Sequence, residues 1–267
     1  MQSLRKNKFY NSSFDNMKIE KYCGYLVNWI KQKVSDANCN GCVVGISGGI
    51  DSALVCALAK IAFPNDTIGI VMPIDSMNHD IQHIDELSSS IGLKFKTINL
   101  KNTYETLLNS LNNEVNNLMS LSNIKPRLRM TTLYAYAQQN NYLVLGTDNL
   151  DEYYIGYYTK YGDGGVDLLP ISHLLKSEVR ALAKYLNVPE NIINKQPSAG
   201  LWEGQSDENE LGFTYKELDS YLLGDFENVS EASKTKIERM HKISEHKRNT
   251  PDRPLSIDKY FETLHKN

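Results

Sequence analysis

Residues 43–52 read Val-Val-Gly-Ile-Ser-Gly-Gly-Ile-Asp-Ser. An apolar run ends in a serine and two glycines, and an alanine- and leucine-rich stretch follows at once. The pattern predicts a buried strand, a tight turn and the first turn of a helix. In that setting, backbone N–H groups and a helix N-terminus face an anion. Glycine lets the backbone approach closely and take unusual φ, and the Ser47 and Ser52 hydroxyls add donors. A Walker A loop sets a lysine on the terminal phosphates, but here Asp51 stands in that zone. A carboxylate beside a polyphosphate makes sense only with Mg²⁺ between them. The loop therefore predicts a metal-bound pyrophosphate as leaving group, with ATP cut between its α- and β-phosphates and AMP transferred.

The rest of the chain supplies a frame for such a loop. Apolar runs at 42–46, 67–72, 95–100 and 142–146 read as buried strands, with 166–171 a weaker fifth. Unbroken apolar runs suit parallel strands covered on both faces. Helical stretches lie between and after them at 52–63, 80–91, 103–119, 127–139, 176–186, 215–223 and 230–246. This alternation implies right-handed crossovers and an α/β fold. The expected fold is a Rossmann-like, doubly wound parallel sheet of about five strands with extra C-terminal helices. One domain over residues 1–267 is expected, with flexible loops at 73–80 and 195–212, the latter a candidate lid.

Composition narrows the function classes. Apolar residues make up 41% and charged residues 23%, as in soluble globular proteins. A net charge of −3 argues against a long nucleic acid as partner. No apolar run approaches the ~20 residues of a membrane helix, and the polar N-terminus has no secretory h-region. A cytoplasmic location is expected. Cys39 and Cys42 form a C-x-x-C, but a zinc site needs a second pair, which the chain lacks. Reduced thiols at a strand entry are expected in preference to a redox dithiol.

The second informative block is 143–167, LVLGTDNLDEYYIGYYTKYGDGGVD. It opens at the carboxyl end of a predicted strand, where ligands bind in open α/β folds. By itself it is a cluster of carboxylates, a lysine, glycines and five tyrosines, which a solvated helix and turn would also explain.

Two resemblances sharpen this reading. S-G-G-x-D-S resembles the signature of the N-type ATP pyrophosphatases, whose fold is adenine-nucleotide α-hydrolase-like. The block GTDN…E…G…TKYGDGG.D..P resembles the NAD synthetase family closely. So do KPRLRM at 125–130, KSEVRALAKYLNVP from Lys176, QSDENELG at 205–212 and SEHKR at 244–248. The likeness runs from about residue 41 to 248.

The resemblance implies a ligase of NAD biosynthesis. The nicotinate carboxylate of deamido-NAD attacks the α-phosphorus of ATP, releasing pyrophosphate. Ammonia then attacks the acyl-adenylate to give NAD and AMP. It implies ATP contacts from Gly45, Ile46, Ser47, Gly48, Gly49, Ile50, Asp51, Ser52, Thr147, Lys176 and Ser198, the last replacing the family's usual threonine. It implies Mg²⁺ on Asp51 and Glu152, and a phosphate-neutralising Lys176. For deamido-NAD it implies Arg127, Lys160, Asp167, His246 and Lys247. Asp163 is assigned as acceptor of the proton that ammonium must lose. A homodimer is implied, and free ammonia is expected, because 267 residues leave no space for the glutaminase domain of some members. Two departures stand out: Val71-Met72-Pro73 replaces the arginine usual near the end of strand two, and the loop IDSMNHD differs from the common pattern.

Two other functions compete. A tRNA-thiolating enzyme shares the AMP-forming loop, but its support is limited to the C-x-x-C. A non-catalytic nucleotide-binding module conflicts with the presence of both Asp51 and Glu152.

Overall fold

The computed structural model describes residues 16–74, 81–198 and 206–264. Along these, the chain begins α1 (Asn16–Asp36), β1 (Gly41–Ile46), α2 (Ile50–Ala62), β2 (Thr67–Val71), α3 (Ile81–Ile91), β3 (Lys96–Thr97) and α4 (Lys101–Ser110). It continues α5 (Leu118–Ser122), α6 (Ile124–Asn140), β4 (Tyr142–Leu145), α7 (Leu150–Ile155) and α8 (Lys176–Tyr185). The last part is helical: α9 (Glu190–Ile193), α10 (Asp207–Leu211), α11 (Tyr215–Leu223), α12 (Glu231–Ile243), α13 (Glu245–Arg248) and α14 (Ile257–Leu264).

The four strands are all parallel, in the order β3-β2-β1-β4. β1 is central and buried almost throughout because both of its faces are covered. Its side chains alternate, as the two-residue period of a strand requires. Cys42, Val44 and Ile46 join one apolar cluster with α1, α2, α3 and α8. Val43 joins another with Leu133 and Ala137 of α6. Helices on both faces of a parallel sheet make the doubly wound α/β fold expected from the alternation of strands and helices. A third cluster unites Ile155 of α7, Leu175 and the helices α11 and α12, and it sits beyond the sheet's carboxyl edge.

Several elements differ from the sequence reading, each for a local reason. The weak fifth strand is reduced to one parallel bridge, Leu145 with Leu168. Pro170 has no N–H with which to extend the ladder. β3 is two residues long instead of six, although Ile98 and Leu100 still donate to Val71 and Pro73 carbonyls at 2.9 and 2.8 Å. The helix expected over 103–119 breaks at Asn112 and Asn113, whose φ values are +48° and +61°, a region that asparagine tolerates better than most residues. α6 starts three residues before the expected 127. Pro126 fits there because N–H groups of a first helical turn have no intrahelical partner. The helix expected over 230–246 ends at Ile243 and resumes at Glu245. Of the two expected loops, residues 75–80 and 199–205 lie outside the described residues.

Candidate active site

With strand order 3-2-1-4, the direction of winding reverses between β1 and β4, and open α/β folds bind ligands at that crevice. The Ser-Gly-Gly turn leaves β1 there, and Thr147 to Asn149 leave β4 beside it.

The turn is shaped by its own hydroxyls. Gly48 has φ +79°, which suits a residue without Cβ. The Ser47 and Ser52 Oγ atoms lie 3.0 Å apart, Ser52 Oγ donates to the Gly49 carbonyl at 3.0 Å, and the Gly49 N–H donates to Ser47 Oγ at 3.2 Å. Both serines thus brace the loop. Gly45 faces α6, where an added Cβ would lie 3.3 Å from Leu133. Ile50 opens α2 and is buried, so it anchors the turn to the core.

Asp51, in the first turn of α2, meets residues from two other elements. Lys176 Nζ donates to Asp51 Oδ2 at 2.5 Å and to Glu152 Oε1 at 3.1 Å. The lysine side chain is 3% exposed, the carboxylates 16% and 15%. Residues separated by 125 positions thus form one charged knot at the crevice. Asn149 completes it by donating from Nδ2 to Asp51 Oδ1 at 2.9 Å. Asn149 also caps α7. Its side chain accepts the Glu152 N–H at 3.1 Å, and Glu152 Oε2 accepts the Asn149 N–H at 3.3 Å. This reciprocal box uses one oxygen of Glu152 and leaves the other turned to Lys176.

Burial and charge act in opposition here. Burial raises the Glu152 pKa, Lys176 lowers it, Asp51 raises it, and the result is about 7. Burial alone would lower the Lys176 pKa, but the Asp51 and Glu152 carboxylates outweigh it and hold it above the ordinary lysine value. Asp148 is 5% exposed, and burial, followed by the charges of Asp163, Glu152 and Asp51, keeps its carboxyl well above the usual range. Asp151 Oδ2 accepts the Lys176 backbone N–H at 2.7 Å and so seats the start of α8.

The donor set fits Mg²⁺ delivered with a phosphate. Mg²⁺ is usually held by one or two carboxylates plus substrate phosphates and water. Asp51 and Glu152 already converge on one positive group, the Lys176 ammonium. Among the described residues, no cluster of three or more ligating side chains offers a self-sufficient metal cage.

The other expected residues fall into separate places. Arg127 Nη2 donates to the Lys160 carbonyl at 3.3 Å, and Lys160 Nζ donates to the His246 carbonyl at 2.5 Å. These three, with Arg127 and His246 exposed and Lys160 partly buried, form a basic group joining α6, the 160s turn and α13. Lys247 is half-buried and donates to the Gly156 and Tyr158 carbonyls at 2.7 and 2.6 Å. Asp163 is exposed and accepts the Thr159 N–H at 2.9 Å. Asp167 stands apart from the knot, accepting from Tyr134 Oη at 2.9 Å and the Val144 N–H at 2.8 Å. Thr147 follows β4 and is partly buried; Ser198 is exposed just before residue 199. Arg129, in the KPRLRM segment, donates to the Met72 carbonyl at 3.1 Å.

Asn149, Asp151, Tyr215 and Asp207 are absent from the sequence-based set. The N-x-x-E spacing of Asn149 and Glu152 is a capping-box signal that would have found the first. The others are brought in by tertiary packing alone. Cys42, within the central strand β1, is fully buried, and burial pushes its thiol up to about 12. All four cysteines are free, so Cys39 and Cys42 are not joined.

The NAD synthase family model matches residues 22–251. The NH(3)-dependent NAD(+) synthetase of Mycoplasmopsis pulmonis is 53% identical over 246 residues, 91% of this chain and 94% of that protein. That of Mesoplasma florum is 52% identical over 237 residues, covering 87% and 96%. Among solved structures, the NMN synthetase from Francisella tularensis superposes with a TM-score of 0.84 at 42% identity, covering 89% of this chain and 99% of that one. The NH3-dependent NAD synthetase from Campylobacter jejuni, in complex with a nitrate ion, gives 0.76 at 30% identity, covering 91% and 100%.

Proposed function

The chain belongs to the NAD synthase family, and on that premise we propose that it is an ammonia-dependent NAD(+) synthetase. The observation that carries this reading is the knot of Asp51, Glu152 and Lys176 at the crevice between β1 and β4. A carboxylate is a poor electrophile, and amidating one requires a better leaving group. ATP supplies it: the nicotinate carboxylate of deamido-NAD attacks the α-phosphorus, AMP becomes the acyl substituent, and pyrophosphate leaves. Ammonia then displaces AMP to give NAD.

The chain's residues supply position and charge. The Ser47–Ser52 turn holds the phosphates with backbone N–H groups. Asp51 and Glu152 hold Mg²⁺, which when bound neutralises charge on the departing pyrophosphate. Lys176 exchanges its carboxylate partners for phosphate oxygens. Thr147 and Ser198 contribute hydroxyls to ATP. Arg127, Lys160, His246 and Lys247 provide the cationic surface for the dinucleotide, with Asp167 as a polar contact, and Asp163 takes the proton from ammonium. A homodimer of single-domain subunits acting on free ammonia completes the proposal.

A second acceptor has specific support, because the structural match to an NMN synthetase has the TM-score of 0.84 given above. The mononucleotide carries the same nicotinate carboxylate. The more similar named relatives, at 53% and 52% identity, are NAD synthetases, which favours the dinucleotide. The deciding experiment gives purified protein ATP, Mg²⁺ and ammonium with either deamido-NAD or nicotinate mononucleotide. NAD and AMP forming at the higher kcat/KM is the expected result. Preference for the mononucleotide would transfer the assignment, and release of ADP and orthophosphate would reject the chemistry altogether.

A further inference from the structure

The knot has a neighbour that the reaction scheme leaves unused. Tyr215, the first residue of α11, is 3% exposed. Its hydroxyl lies 3.2 Å from Glu152 Oε1, the same oxygen that receives Lys176, and 3.1 Å from Asp207 Oδ2 of α10. Its ring lies beneath the Lys176 ammonium, 4.9 Å from Nζ to the ring centre. One side chain thus touches both a proposed metal ligand and the proposed phosphate cation.

Tyr215 is held firmly for this task. Thr214 and Glu217 form a reciprocal capping box at the start of α11, with the Glu217 N–H donating to Thr214 Oγ1 at 3.1 Å and the Thr214 N–H donating to Glu217 Oε2 at 3.0 Å. The Tyr215 N–H donates to Glu208 Oε1 of α10 at 3.0 Å. Asp207, facing the hydroxyl, is steadied through its other oxygen by Tyr157 Oη at 3.3 Å. A phenol is protonated at neutral pH, and facing two carboxylates it acts as a donor.

A phenol has one proton and can donate to one of its two facing carboxylates at a time. While Lys176 is paired with Glu152, that carboxylate is served and the hydroxyl is available to Asp207. Once Lys176 turns to phosphate, Glu152 loses its cationic partner. We propose that Tyr215 is a positioning residue that then donates to Glu152 and holds it in place for the metal-bound phosphate, while its ring supports the Lys176 ammonium from below. The acidic segment at α10, through Asp207, sets the resting orientation of that hydroxyl. This inference rests on the ATP-dependent reading above.

Calorimetry of ATP binding, with and without Mg²⁺, tests it in the absence of any acceptor. Tyr215→Phe keeps the ring and removes the hydroxyl. A hydrogen bond to a charged group is commonly worth about tenfold or more in an equilibrium. The expected result is roughly tenfold weaker binding of ATP with Mg²⁺ and unchanged binding without it. Tyr215→Leu, which also removes the ring, should weaken binding without Mg²⁺ as well. In turnover, Tyr215→Phe should lower kcat about tenfold with an unchanged KM for deamido-NAD. Equal weakening by Tyr215→Phe with and without Mg²⁺, or no weakening, would overturn the hydroxyl's role. Equal behaviour of the two variants would overturn the ring's. Loss of far-UV circular dichroism in Tyr215→Phe would make the residue structural and overturn the proposal. If wild-type protein binds ATP with Mg²⁺ but amidates neither acceptor, the proposed function fails and the binding data still judge Tyr215. Absence of ATP binding by the wild type overturns both.

Discussion

Lys176 is the cation that joins the site's two carboxylates. Its ammonium is buried between two carboxylates that would otherwise repel each other across the crevice. Removing one partner of a buried charge group is costly because the rest stays buried and uncompensated. Lys176→Met should lower the unfolding free energy by about 3–5 kcal/mol at neutral pH, read from urea denaturation, and should abolish pyrophosphate release. Unchanged stability would mean that the carboxylates do not depend on the ammonium. Read by itself, Lys176 is an ordinary helix-start lysine; the family resemblance singled it out, and its two partners lie 125 and 24 positions away. Asp51 was visible within the loop itself, whereas Glu152, in a block that a solvated helix and turn would also explain, was singled out by the family resemblance. Asp167 was named with the dinucleotide group, yet its carboxylate is engaged with Tyr134 and the β4 backbone.

Among the elements, the short helix α7 does the most positioning. Asn149 starts it, Glu152 sits one turn in, and Gly156 ends it with φ +68°. A Cβ at Gly156 would lie 2.2 Å from Ser244 Cβ, and the Gly156 carbonyl accepts from Lys247. The glycine therefore allows α7 to end tightly against the junction of α12 and α13. Gly156→Ala should cost about 1–3 kcal/mol through the positive φ and the overlap. It should also reduce turnover more than ATP binding, since Lys247 moves with the junction. A variant as stable as wild type by thermal melting would contradict that packing. The runs at 42–46, 67–72 and 142–146 became the strands expected, because burial on two faces demands such runs, whereas β3 keeps only Lys96–Thr97 and the run at 166–171 only a single bridge. The breaks at Asn112–Asn113 and Ser244 were not legible, since local backbone geometry decided them within otherwise helical stretches.

At the scale of the molecule, the site depends on two apolar bodies meeting. The sheet with its two helical layers supplies Asp51, and α7, whose Ile155 lies in the third cluster, supplies Glu152. The third cluster, with α11 and α12, supplies Tyr215 and, through Leu175, packs against the start of α8 that carries Lys176. If the chain is one cooperative unit, as proposed, these bodies unfold together. Fluorescence of the tryptophans, including Trp29 packed against the first cluster, and far-UV circular dichroism should give coincident urea transitions. Two separated transitions would divide the chain into independent folding units. Among the described residues, no helix is long and apolar enough to cross a membrane.

The amino-acid order alone settled what short-range chemistry can settle. Apolar runs with a period matched to buried strands gave the doubly wound sheet, and Ser-Gly-Gly followed by Asp51 gave an anion-binding turn that lacks the Walker lysine. Which charges share a crevice was decided by the folded chain. The winding reverses between β1 and β4, so residues 51, 152 and 176 converge there. Tyr215 and Asp207 arrive by the packing of α10 and α11 against α7 and α8. Spacing along a chain encodes the periodicity of one element, whereas contact between elements depends on how their buried faces fit together.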